Sequence, residues 1–159
     1  MRERAANPLE GHVDPVKSRE LPPKPWVVSA AVSAGGAVGA LARYGVQEVF
    51  PHRPGEFAWA TFIVNVSGCL LIGVLMVLVS EVWTRQRLLH PFLGVGVLGG
   101  FTTFSAYVID IQQALAAGAV QTALLYLTAT LVCALAAVWT GIGLARWASR
   151  VYRNRQVPR

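Results

Sequence analysis

Residues 99–107 read Gly99-Gly100-Phe101-Thr102-Thr103-Phe104-Ser105-Ala106-Tyr107, and they stand in the middle of an apolar run. Two glycines and three serine or threonine side chains occupy positions where a plain membrane helix carries Leu and Val. Glycine costs about 1 kcal/mol relative to alanine inside a helix, so the stretch predicts a break. Irregular backbone at membrane depth persists only where it is buried in protein or lines a watery cavity. Such a break frees carbonyl oxygens, which hold a hard cation such as Na+. It also presents amides and hydroxyls, which hold an anion.

The whole chain agrees with a membrane setting. Of its 159 residues, 54% are hydrophobic and only 14% charged, whereas soluble domains carry about 25% charged residues. One span needs roughly 20 mostly apolar residues, and four such stretches lie at 26–49, 57–80, 91–116 and 119–147. The fold class expected is an all-α integral membrane protein of four transmembrane helices with a break in the third. Residues 1–25, of mixed charge and rich in proline, read as a disordered cytoplasmic arm. They carry neither the apolar core nor the cleavage site of a signal peptide. Residues 26–147 form the membrane domain, and 148–159 a basic cytoplasmic tail.

Four spans return both termini to one side, which makes the charge distribution informative. The net charge is +6, with 14 Lys and Arg residues. The arm holds Arg2, Arg4, Lys17, Arg19 and Lys24; the loop between spans 2 and 3 holds Arg85 and Arg87. The tail holds Arg146, Arg150, Arg153, Arg155 and Arg159, which brings this side to 12 of the 14. Arg53 lies on the other side, and Arg43 near the end of span 1. The positive-inside rule therefore puts both termini and the middle loop in the cytoplasm of a multi-pass cell-membrane protein. Basic residues that hug membrane ends face anionic lipid rather than nucleic acid.

Polar residues inside the spans are few and spaced on helix faces. In span 1, Gly35, Gly36, Gly39 and Ala40 give small-xxx-small spacing, which lets helices approach closely. Arg43 in the same span either snorkels to the interface or places positive charge at the mouth of an anion pathway. Thr61 and Asn65 in span 2 share a face. A buried amide needs a partner, so Asn65 is either a link between helices or a pore-facing donor. Phe104 and Tyr107 share a face of span 3, with Ser105 between them and Asp110 one turn on. Core packing is the ordinary reason for such an aromatic pair, but positive ring edges also suit contact with an anion. Tyr126 and Thr130 place a polar stripe on span 4.

Other chemistries find little support. Cys69 and Cys133 fall inside spans and read as small apolar residues rather than a disulfide or metal site. His12, His52 and His90 lack ligand spacing. Gly94-Val95-Gly96-Val97-Leu98-Gly99 matches G-x-G-x-x-G, but no strand precedes it. No nucleophile–base pair, carboxylate dyad or phosphate loop is present, so no enzyme is expected. A small four-span multidrug transporter needs a membrane carboxylate in its first span, and span 1 has none before Glu48.

The motifs taken together resemble the CrcB family, the Fluc-type fluoride channels, over nearly the whole chain after residue 25. The resemblance rests on Gly35-Gly36-x-x-Gly39-Ala40 with Arg43-Tyr44, and on Thr61-x-x-x-Asn65-x-x-Gly68. Its most specific part is Gly99-Gly100-x-Thr102-Thr103-Phe104-Ser105, with Asp110 where the family has an acidic residue. It implies a passive channel exporting fluoride, built as an antiparallel, dual-topology-type dimer with two pores. It also implies a central structural Na+ held by backbone carbonyls, here those of Gly99 and Thr102. The pore residues it implies are Asn65, Phe104, Tyr107, Thr61, Ser105, Tyr126 and Thr130, with Arg43 near the vestibule. Fluoride is small and strongly hydrated, so neutral amides, hydroxyls and ring edges in sequence replace its water without trapping it.

Three positions depart from the family's pattern: Tyr107 replaces a phenylalanine, Ala106 a threonine, and Ala134 a serine of the polar track. The Tyr107 hydroxyl can donate to fluoride or narrow the path. The Lys/Arg bias is a further departure, since a chain that inserts in both orientations has little of it. It points to one orientation and to pairing with an oppositely oriented homologue as a heterodimer. A purely structural or half-pore subunit is the remaining alternative.

Overall fold

A computed structural model describes residues 23–82 and 88–155, without the side chains of residues 82 and 153–155. The expected arm over 1–22, the basic residues Arg85 and Arg87, and the tail residues 156–159 lie outside the described residues. The described chain is all-helical. Four of its helical stretches are long and apolar enough to cross a membrane: Pro25–Val49, Trp59–Glu81, His90–Ala116 and Val120–Tyr152.

Pro25 opens α1 (Pro25–Val49), a position where its missing N–H and fixed φ cost nothing. A loop through Pro51 and Pro54 then turns the chain at Gly55, whose φ of 93° is the left-handed conformation that favours glycine. Helix α2 (Trp59–Val77) starts two residues inside the apolar run, because the chain makes a tight turn at Ala58 (φ −76°, ψ 74°), with the Trp59 N–H on the Phe57 carbonyl at 2.9 Å. It ends in a wider π-type turn, Leu78–Val82. Helix α3 comprises π-type His90–Leu98 and α-helical Gly99–Phe101. After Thr102 and Thr103, α4 (Phe104–Ala116) completes the third stretch.

The turn from α4 to α5 (Val120–Arg155) is a Schellman-type cap. Gly118 has φ 75°, and the Ala119 N–H reaches back to the Ala114 carbonyl at 2.9 Å, which satisfies an orphan carbonyl. Helix α5 has 36 residues, hence about 54 Å of length, well beyond the roughly 30 Å of hydrocarbon. It outlasts the apolar run that ends near residue 147. Residues 148–155 contain no glycine or proline and three arginines, which are good helix formers.

Two helix pairs organise the packing: α1 lies on α3, and α2 lies on α5. Both rely on glycine. A Cβ on Gly35 or Gly39 meets the carbonyl oxygen of Phe92 or Val97, and one on Gly100 meets that of Gly36. In the other pair, Gly73 abuts the Val138 carbonyl and Gly141 the Leu70 carbonyl. Lipid tails are as apolar as Leu, so such close backbone approach, rather than hydrophobic burial, holds membrane helices together. The core is accordingly made of small residues around Ala60, Thr61, Val64 and Ala123, with the ring of Tyr126 buried among them. Most large apolar side chains face outward.

Candidate functional site

Between α3 and α4 the chain leaves helical geometry for two residues. Thr102 has φ/ψ of −75°/156° and Thr103 −150°/120°. Two side chains take the place of the missing ladder. Asn65, on α2, accepts from the Thr103 N–H through Oδ1 at 2.8 Å and donates from Nδ2 to the Thr103 carbonyl at 2.9 Å. Thr103 Oγ1, as the N-cap of α4, accepts from the Ala106 N–H at 3.2 Å. In an unbroken helix those N–H groups would serve the carbonyls four residues back, Gly99 and Thr102. The two substitutions thus release the carbonyl oxygens of Gly99 and Thr102 from the helical ladder.

Both oxygens belong to residues lining one recess of about 330 Å³, together with Asn65, Cys69, Thr103 and Phe104. Arg43 reaches this region from α1, its Nη1 donating to the Thr102 carbonyl at 3.4 Å. The guanidinium is half-buried and, among the described residues, forms no ion pair with a carboxylate. Freed carbonyls are hard neutral oxygens, the donor chemistry a sodium ion takes. The residues present therefore fit such an ion, although two carbonyls are only part of a coordination shell.

A second cluster continues from the recess toward the loop that precedes α2. The rings of Phe104 and Tyr107 lie 5.8 Å apart between centroids, and those of Tyr107 and Tyr126 5.4 Å apart. Phe57 meets Tyr126 edge-on at 5.1 Å. The Tyr126 hydroxyl donates to Asp110 Oδ2 at 3.2 Å, while His52 Nε2 lies 3.5 Å from Asp110 Oδ1. The Tyr107 hydroxyl donates to the Leu127 carbonyl at 2.9 Å. Thr130 sits deep in α5 with its hydroxyl lacking any partner. A buried hydroxyl left unpaired costs about 1–3 kcal/mol, so this one needs an explanation beyond packing.

The structure thus gathers the sequence-derived candidates into two neighbouring groups. Asn65, Gly99, Thr102 and Phe104 share the recess, with Arg43 against Thr102; Tyr107 and Tyr126 share the aromatic cluster, and Thr61 is buried on α2 against it. Ser105 is exposed at the head of α4, its Oγ 3.2 Å from Thr103 Oγ1. Asn65 spends its carbonyl and one N–H on Thr103 and keeps one N–H. Two participants were missed by sequence reasoning. Thr103 was quoted in the motif but given no role, although a hydroxyl residue directly before a helix is an N-cap signal. His52 had no local signal, since its partner Asp110 is remote in sequence.

Comparison with known proteins gives a consistent picture. The family described as CrcB-like protein, Camphor Resistance (CrcB), matches residues 30–142. The fluoride-specific ion channel FluC 2 of Nocardia farcinica is 53% identical over 134 residues, spanning 84% of this chain and 96% of that protein. FluC 1 of Streptomyces coelicolor is 50% identical over 123 residues, 77% of each chain. FluC 2 of Thermobifida fusca is 52% identical over 118 residues, 74% of this chain and 87% of its own.

Proposed function

The chain belongs to the CrcB family, and from that premise we propose that it forms a fluoride-selective channel through which fluoride leaves the cytoplasm passively. It is a multi-pass membrane protein of a family of ion channels rather than enzymes. The single observation that best supports an anion pathway is Arg43. A cation at membrane depth without a carboxylate partner among the described residues is costly, and it stands beside a recess whose other polar groups are neutral. Asn65 keeps one N–H to offer there, and Phe104, with three-quarters of its surface exposed, brings ring edges. Thr61, Ser105 and Thr130 supply hydroxyls to the proposed path. The Tyr126 proton is directed at Asp110 and the Tyr107 proton at the Leu127 carbonyl, so these two rings act through their edges.

In this reading two copies assemble antiparallel, each completing the other's pore. The carbonyls of Gly99 and Thr102 would then hold a structural Na+, which would supply fixed positive charge at the interruption. The exposure of Phe104 and the recess at its base suit a face covered by such a partner.

A second reading draws on the Lys/Arg bias, with 12 of 14 on one side. That asymmetry favours insertion in a single orientation with both termini in the cytoplasm, and hence pairing with an oppositely oriented homologue. The deciding experiment is fluoride efflux from liposomes holding this protein alone, read with a fluoride electrode, with chloride efflux beside it. Rapid fluoride release without chloride supports a self-sufficient channel. Silence from the protein alone, relieved by co-reconstitution with a paired homologue, supports the heterodimer; silence in both overturns the channel reading.

A further inference from the structure

The Thr102 carbonyl, released from the helical ladder because the Ala106 N–H serves Thr103 Oγ1, has a cation against it. Arg43 Nη1 lies 3.4 Å away, a long contact at the limit of hydrogen-bonding geometry. The guanidinium is half-buried and forms no ion pair among the described residues. Its positive charge is therefore uncompensated at the very oxygen that the proposed sodium ion takes. A carbonyl has two lone pairs, yet two like charges sharing one oxygen in a medium of low polarity repel strongly.

We propose that Arg43 is a resident competitor for the cation site: it caps the Thr102 carbonyl when no metal ion is bound and must leave that oxygen for Na+ to enter. Arg43 on this view sets the sodium affinity of the interruption rather than adding to it. The length of the contact fits this role, since a short, well-aligned bond would hold the guanidinium in place. The inference rests on the reading of the Gly99 and Thr102 carbonyls as sodium ligands. It concerns only what a side chain of this protein does at one of them.

The test compares sodium binding by the parent protein and Arg43→Gln, each purified in detergent with N-methylglucamine as the only other monovalent cation. Binding is followed by sodium NMR line broadening and by the NaCl concentration that protects against thermal unfolding. Arg43→Gln is expected to shift both midpoints to roughly tenfold lower NaCl, and Arg43→Lys, which keeps the charge, to stay within about threefold of the parent. Coincident midpoints for the parent and Arg43→Gln, a weaker Arg43→Gln, or no sodium binding by either protein overturns the proposal. Should Arg43→Gln fail to fold, the parent alone decides. Its Arg43 side-chain nitrogen resonance, assigned by its absence in Arg43→Lys, must move on addition of NaCl and not of N-methylglucamine chloride; an unmoved resonance overturns the proposal. Fluoride efflux from the same preparations is scored separately. Efflux without a sodium shift removes only this inference, and a sodium shift without efflux removes only the reading of this chain as a self-sufficient channel.

Discussion

Asn65 and Thr103, on different helical stretches, form a closed pair in which each gives and takes one hydrogen bond, at 2.9 Å and 2.8 Å. One side-chain amide thereby imitates a neighbouring strand for a single residue. It holds Thr103 extended and leaves the Gly99 carbonyl without its helical donor. The amide is thus structural and, through its remaining N–H, available to a ligand.

Replacing Asn65 separates these two roles. Asn65→Leu abandons both polar groups of Thr103 and is expected to destabilise the fold by about 2 kcal/mol, measured by SDS or thermal unfolding. Asn65→Asp keeps the acceptor for the Thr103 N–H but lacks the donor, and its charge repels an anion. It is expected to lower fluoride efflux by at least about tenfold, a little over 1.4 kcal/mol at the barrier. Efflux at the parent's rate from Asn65→Asp would remove Asn65 from the pathway.

Glycine positions differ sharply in what they tolerate. A Cβ on Gly39 meets the Val97 carbonyl and the Phe101 nitrogen, whereas one on Gly45 meets nothing within 4 Å. Gly39→Ala is therefore expected to cost about 1–3 kcal/mol through overpacking, and Gly45→Ala to be neutral or slightly stabilising, since alanine is the better helix former. Size-exclusion profile and unfolding midpoint of the two variants provide the comparison. Equal behaviour of the two would contradict the close α1–α3 contact.

Thr130 offers a way to tell cost from use. Its hydroxyl is buried and unpartnered, so Thr130→Val, nearly the same shape, is expected to leave stability unchanged or raise it by about 1 kcal/mol. If the hydroxyl donates to passing fluoride, the same variant loses efflux, by several-fold or more. A variant that is both more stable and fully active assigns Thr130 no role in conduction.

Phe104 is the converse case. With 77% of its surface exposed, it contributes little to the packing of a single chain, and Phe104→Ile is expected to unfold near the parent's midpoint. Fluoride efflux is nevertheless expected to fall by about tenfold or more, because an aliphatic side chain lacks the positive ring edge. Undiminished flux would favour a purely structural subunit.

The sequence by itself determined the family and the four helical spans. Each span is an apolar run of about 20 residues or more, and a helix satisfies its own backbone within that run; no distant residue has to be known. Most helix ends came out only to within a residue or two, since Pro25, read as part of the arm, opens α1. The last was not legible at residue 147, where the apolar pattern stops and the helix of α5 continues to Arg155. Tertiary structure alone decided the partners inside the site. Thr103 takes its hydrogen bonds from a residue 38 positions away, Thr102 its cation from one 59 positions away, and Tyr126 its acceptor from 16 positions away. Helical periodicity says which residues share a face, but not which face of which neighbour they meet. Here that was fixed by backbones drawn together at Gly35, Gly39, Gly73, Gly100 and Gly141, where the lack of a side chain sets both the distance and the register.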